Sequence, residues 1–157
     1  MPVDFPTERN IVITGFMGTG KTTIARIVAD RLGRPFHDMD DEIETHFGKP
    51  IPRVFAEDGE AAFRAVEADL CRRFAQESGV VVATGGGALV HPANRDALAQ
   101  SGVLICLTAS ADTILERVEH ADNRPLLPGG REERRERVRR LLAERRPAYA
   151  AIPHQVS

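Results

Sequence analysis

A chain of 157 residues suits one domain and is long enough to bury a core. Its 42% hydrophobic and 28% charged residues are those of a soluble globular protein, and no apolar run is long enough to span a bilayer. A net charge of −2 argues against nucleic acid as the main partner, because such proteins carry a basic excess. Residues 1–9 contain two prolines and no period, so a disordered leader is expected there. Asp4 and the lack of an apolar signal core leave nothing to direct export, which points to the cytoplasm. Cys71 and Cys106 sit in apolar runs without metal-ligand spacing and read as reduced core thiols.

Residues 10–14 (Asn-Ile-Val-Ile-Thr) form a short β-branched run that predicts a buried strand. Gly15-Phe16-Met17-Gly18-Thr19-Gly20-Lys21-Thr22 follows and fills every fixed position of the phosphate-loop pattern GxxxxGK[ST]. Beyond it, Ile24, Ala25, Val28, Ala29 and Leu32 recur at helical spacing. Strand, glycine loop and helix are the setting in which backbone N–H groups and a helix N-terminus hold a phosphate chain. Lys21 would reach the β- and γ-phosphates, and the Thr22 hydroxyl would ligate Mg²⁺. Lys21 and Lys49 are the only lysines among 21 basic residues, so a lysine in this place is not drift. The stretch predicts a nucleoside-triphosphate site.

Gly33 stops the first helix, and Phe36-His37-Asp38 reads as the end of a second strand. That strand delivers Asp38, Asp40, Asp41 and Glu42 to the edge where open α/β sheets bind ligands. Asp40 or Asp41 could also simply cap the helix that runs through Phe47. Pro50 and Pro52 break the chain before a short helix ending near Gly59. Phe63, Val66, Leu70 and Phe74 then mark the buried face of a longer helix over residues 60–77. At its front, Arg64 and Glu67 form an i,i+3 pair. The pattern alone favours a surface pair worth a few tenths of a kcal/mol, as a rough figure, over a Glu67 that aims Arg64 at an anion.

Residues 80–84 are the most strand-like run in the chain and predict a central parallel strand. They open into Gly85-Gly86-Gly87, where close approach of a ligand to the backbone explains three glycines better than a flexible turn does. Pro92 starts a helix closed by Gly102, and residues 103–107 predict a fourth strand. Ser110 or Asp112 caps the next helix. Residues 120–131 lose periodicity, as either an ordinary loop or a mobile lid carrying Arg124 towards a phosphoryl group. The arginine-rich helix over residues 132–146 interleaves glutamates, so a solvated, salt-bridged face is expected rather than a nucleic-acid surface. Residues 145–149 should end it, and residues 154–157 begin a further strand. The alternation of strands and helices predicts a single α/β domain: a parallel sheet covered on both faces.

The set of motifs over residues 10–149 resembles the shikimate kinases. It comprises the phosphate loop, Asp38-x-Asp40, Phe63-Arg64-x-x-Glu67, Gly85-Gly86-Gly87, Arg124-Pro125-Leu126-Leu127 and Arg145-x-Pro147-x-Tyr149. The resemblance implies a three-layer α/β/α fold of phosphate-loop kinase type, with a five-stranded parallel sheet and a mobile lid. The lid would span about residues 120–131 and a substrate-binding helical region about residues 40–77. It implies transfer of the ATP γ-phosphoryl group to the 3-hydroxyl of shikimate, by a cytoplasmic monomer with no nucleic-acid or membrane partner. By that likeness Gly18, Thr19, Gly20, Lys21, Thr22, Thr23 and Arg124 would hold ATP. Thr22 and, through water, Asp38 would support Mg²⁺. Asp40 would hold the attacking hydroxyl, Arg64 and Arg145 the carboxylate, and Gly85, Gly86 and Gly87 would line the substrate, Gly86 lending it a backbone N–H. Lys21, Asp40 and Arg124 are thus the implied catalytic set. The family runs on past Ser157, so its completed C-terminal strand and final helix are expected to be missing. A kinase of another small hydroxy acid, such as gluconate, and a non-catalytic ligand sensor stay open as alternatives.

Overall fold

The computed structural model describes residues 9–16, 20–119 and 130–157. Residues 1–8, Gly18 and Thr19 of the glycine loop, and residues 120–129 with Arg124 lie outside the described residues. The expected leader and most of the expected lid fall there.

Five strands form one sheet: β1 (Asn10–Gly15), β2 (Phe36–Asp38), β3 (Val81–Ala83), β4 (Gly102–Leu107) and β5 (His154–Val156). Their order is β2-β3-β1-β4-β5, and every neighbouring pair is parallel. The middle place belongs to β1, whose Ile11 pairs with Val81 on one side and Val103 on the other. Strand β3, expected at the centre, lies next to it. All six residues of β1 are buried, as a strand covered on both faces requires.

Alternation along β1 sorts the core into two layers. Ile11 and Ile13 face helix α1 (Lys21–Leu32), whose Ala25 and Ala29 are small enough to let its backbone approach the sheet. Val12 faces the opposite way, into a larger cluster with Leu70, Phe74, Leu98 and Val138. That cluster draws on α2 (Met39–Phe47), α3 (Ile51–Glu57), α4 (Glu60–Ala75), α5 (Pro92–Ser101), α6 (Ala111–Glu119) and α7 (Arg131–Ala150). The three-layer α/β/α architecture is the one expected. A 3₁₀ turn, Ala88–Val90, links the glycine run to α5.

Two boundaries differ from the sequence reading. The cap of α2 is Asp38 and not Asp40 or Asp41: its carboxylate accepts the N–H groups of both. Helix α7 does not end over residues 145–149 but runs through Pro147 to Ala150. Proline forfeits one donor there, yet Tyr149 and Ile152 are buried and the Ala151 N–H bonds the Pro147 carbonyl, which outweighs that loss. The strand expected to begin at residues 154–157 is β5, paired with β4 from Ile105 to Leu107.

Asn10 ties the sheet to the helices above it. Its Nδ2 donates to the carbonyls of Phe74 (3.2 Å) and Glu77 (2.9 Å), and its Oδ1 accepts the Val80 N–H at 3.1 Å. The side chain is 2% exposed, so no water replaces these bonds if it is removed. Asn10→Ala is expected to lower stability by about 2–3 kcal/mol, read as a fall in the urea midpoint with the slope unchanged.

Candidate active site

The carboxyl ends of β1, β2 and β3 open at one edge of the sheet, where, among the described residues, Lys21, Thr22, Asp38, Asp40, Arg64 and residues 85–87 lie. Gly20 adopts a left-handed conformation (φ 86°) that turns the loop into the first turn of α1. Lys21, the first residue of that helix, folds back so that its Nζ donates to the Gly15 carbonyl at 2.9 Å. The Thr22 hydroxyl donates to Asp38 Oδ2 at 2.9 Å, which joins the loop to the end of β2. Thr23 is exposed beside it.

Asp40 and Glu67 reach the same spot from different helices. A β-carbon placed on Gly85 would lie 3.0 Å from Asp40 Oδ1 and 3.3 Å from Glu67 Oε2. On Gly87 it would lie 2.8 Å from both terminal nitrogens of Arg64. Neither glycine has a positive φ. Their lack of a side chain makes room for two carboxylates and a guanidinium, a use of glycine that the sequence reading did not foresee.

The Arg64–Glu67 pair is not the surface pair that the spacing favoured. The Glu67 side chain is 1% exposed and that of Arg64 21%, with Arg64 Nη1 donating to Glu67 Oε1 at 2.9 Å. Burial pushes the Glu67 carboxyl up from its ordinary range, and the nearby charges of Arg64 and then Arg145 only partly oppose that rise. Oε2 of Glu67 is buried without a hydrogen-bond partner among the described residues.

Arg145 enters from α7. It is 6% exposed, its guanidinium carbon lies 5.3 Å from the centre of the Phe16 ring, and Nη1 has no partner among the described residues. A buried cation over an aromatic face with a spare donor is suited to an anionic ligand. Phe16 itself belongs to the glycine loop, so one ring separates the nucleotide loop from this arginine. Tyr149, one turn further along α7, donates its hydroxyl to the Gly86 carbonyl. The Asn94 amide holds the carbonyl of Ala88 at 2.9 Å. Sequence reasoning gave no role to Phe16, Tyr149 or Asn94; the i,i+4 spacing of Arg145 and Tyr149 was the one signal it had. Cys71 and Cys106 are free and buried, as expected, and burial pushes the Cys71 thiol up to about 12.

The donors present also fit a magnesium ion. Thr22 and Asp38 offer two hard oxygens in mutual contact, and a hydrated ion bridging a phosphate chain needs few more from protein. No group of three or more His, Cys, Asp or Glu side chains forms a metal cage among the described residues.

A family model described as shikimate kinase matches residues 17–157. The chain belongs to the shikimate kinase family. The shikimate kinase of Desulforudis audaxviator (strain MP104C) is 50% identical over 141 residues, covering 90% of this chain and 73% of that one. The shikimate kinase of Pelotomaculum thermopropionicum is 46% identical over 148 residues, covering 94% and 85%. Among solved structures, a shikimate kinase from Acinetobacter baumannii in complex with shikimate superposes with a TM-score of 0.89 at 38% identity, covering 98% of this chain and 84% of that one. A gluconokinase from Sinorhizobium meliloti 1021 reaches a TM-score of 0.54 at 19% identity, a likeness of fold alone.

The raised Glu67 carboxyl gives a pH test. Its protonated form favours the folded chain, so the stability it contributes is full below the ordinary value of 4.5 and is lost as pH rises through the folded value. Glu67→Gln cannot ionise. Between pH 4.5 and neutrality, the urea midpoint of the unaltered chain is therefore expected to fall relative to that of the variant.

Proposed function

We infer that the chain is an ATP-dependent kinase that transfers the γ-phosphoryl group to the 3-hydroxyl of shikimate, giving shikimate 3-phosphate. The observation that carries this reading is the meeting of Asp40 and Arg64 at residues 85–87, with Arg145 near Glu67 and over Phe16 of the loop that bears Lys21. An acid with ring hydroxyls needs what this hollow supplies: cations for its carboxylate, and an acceptor and backbone donors for its hydroxyls. Phosphoryl transfer asks mainly for alignment and charge compensation, so the chemistry and the arrangement agree.

In this reading Asp40 accepts the hydrogen bond of the attacking hydroxyl, while Arg64 and Arg145 clamp the carboxylate. Glu67 holds Arg64 in place. Gly20, Lys21, Thr22 and Thr23 hold the triphosphate together with Gly18 and Thr19. Lys21 and Arg124 offset charge on the transferred group. When bound, Mg²⁺ would be held by the Thr22 hydroxyl and through water by Asp38, and would screen the phosphates. We take the protein to act as a cytoplasmic monomer on this small molecule. Among the described residues no helix is long and apolar enough to cross a membrane.

Release of ADP, followed by a coupled assay with ATP, Mg²⁺ and either shikimate or gluconate, tests the reading. Turnover with shikimate alone is expected; turnover with gluconate alone would overturn the substrate, and shikimate binding without ADP release would make the protein a sensor. Lys21→Ala should lower kcat by about two to three orders of magnitude while calorimetry still detects shikimate. Gly87→Ala is the sharper probe of the acid pocket. Its backbone suits alanine (φ −99°, ψ −3°), and the new methyl meets only the movable end of Arg64. The KM for shikimate should rise about 10-fold or more, with the KM for ATP and the melting temperature nearly unchanged.

A further inference from the structure

The three glycines are held by partners on different elements, and two of these contacts fix the orientation of peptide planes. The Gly85 carbonyl accepts the Ala88 N–H at 3.2 Å, and the Gly86 carbonyl accepts the Tyr149 hydroxyl. In a trans peptide the carbonyl and the following N–H point to opposite edges of the plane. Pinning Gly86 O towards α7 therefore turns the Gly87 N–H away from α7, and Gly87 itself packs against the Arg64 guanidinium. Among the described residues neither the Gly86 nor the Gly87 N–H has a hydrogen-bond acceptor. A donor left open on a residue packed against the Arg64 guanidinium has a ligand as its natural partner.

We propose that Tyr149 is a positioning residue: by holding the Gly86 carbonyl it aims the Gly87 N–H at the acidic substrate. The inference rests on the proposed shikimate kinase activity and adds to it a residue that touches neither substrate nor nucleotide. Tyr149 suits the task. Its hydroxyl must donate, because a carbonyl only accepts. It is 8% exposed, and burial pushes its phenol up to about 12, so it keeps its proton through the range in which enzymes work. The Arg145 charge lies close enough to act on the same phenol, so the residue that anchors the turn also neighbours that cation.

Tyr149→Phe removes the hydroxyl and little else. The KM for shikimate is expected to rise about five- to tenfold, kcat to change less, and the KM for ATP to stay the same. Arg95→Ala serves as the structural comparison: Arg95 Nη1 ties α5 to the Ala148 carbonyl at 3.2 Å and touches none of the glycines. It should lower the melting temperature without moving the KM for shikimate. An unchanged KM for shikimate in Tyr149→Phe overturns the proposal. So does a rise in both KM values that merely follows the loss of stability. Turnover of shikimate by the unaltered chain is measured first; its absence defeats the activity itself, whereas normal turnover with an unmoved Tyr149→Phe defeats only the role of Tyr149. A second measurement needs no variant. In ¹⁵N-edited spectra of the unaltered chain, the Gly87 amide proton should move downfield and gain exchange protection when shikimate is added; a Gly87 amide that does not respond overturns the proposal.

Discussion

The site depends on space left empty. Residues 85 and 87 carry no β-carbon, and the volume is taken by the carboxylates of Asp40 and Glu67 and by the guanidinium of Arg64. Those side chains start from two helices well before the turn in sequence, and Tyr149 arrives from a helix well after it. A turn without side chains is the surface on which all of them can meet. Parallel pairing makes the meeting possible, because it brings the ends of β1, β2 and β3 to one edge.

Charge within the hollow is arranged so that the cations outlast the protein's own needs. Glu67 is one buried carboxylate facing two arginines, and only Arg64 bonds it directly. Among the described residues, Arg145 is left with a terminal nitrogen unanswered and with the Phe16 ring as a low-polarity support. Burying such a group is costly in the empty protein and becomes favourable when an anion arrives. Lys21 and Asp38 follow the other course: both have local partners, the Gly15 carbonyl and the Thr22 hydroxyl, which phosphate or a hydrated ion can displace.

Much of this was legible in the sequence where local chemistry decides it. The phosphate loop announced itself by fixed glycines and one lysine, and the strands by β-branched runs. Asp38, Asp40, Arg64 and residues 85–87 stand out from their own patterns, and Arg145 from the family resemblance alone. The errors came where tertiary packing overrode a local rule. Spacing presented Arg64 and Glu67 as a surface pair because it says nothing about depth. Pro147 signalled a helix end, yet the burial of Tyr149 and Ile152 carried the helix on. The three glycines were read as room for a ligand, and spacing could not show that at residues 85 and 87 side chains of the protein itself also use that room. The strand read as beginning at residue 154 is β5, and its partner β4 supplies the order.

The crowding around the glycine turn also bears on how such a scaffold could take up a new substrate. Any residue larger than glycine at 85 or 87 evicts a charged group before it can meet a ligand, so the turn offers little raw material for change. Helices α2 and α4, which carry Asp40, Arg64 and Glu67 on side chains that can be lengthened or shortened, are the part of the wall that can be reshaped. A search for altered acceptor preference would do best to diversify those helices and leave the floor alone.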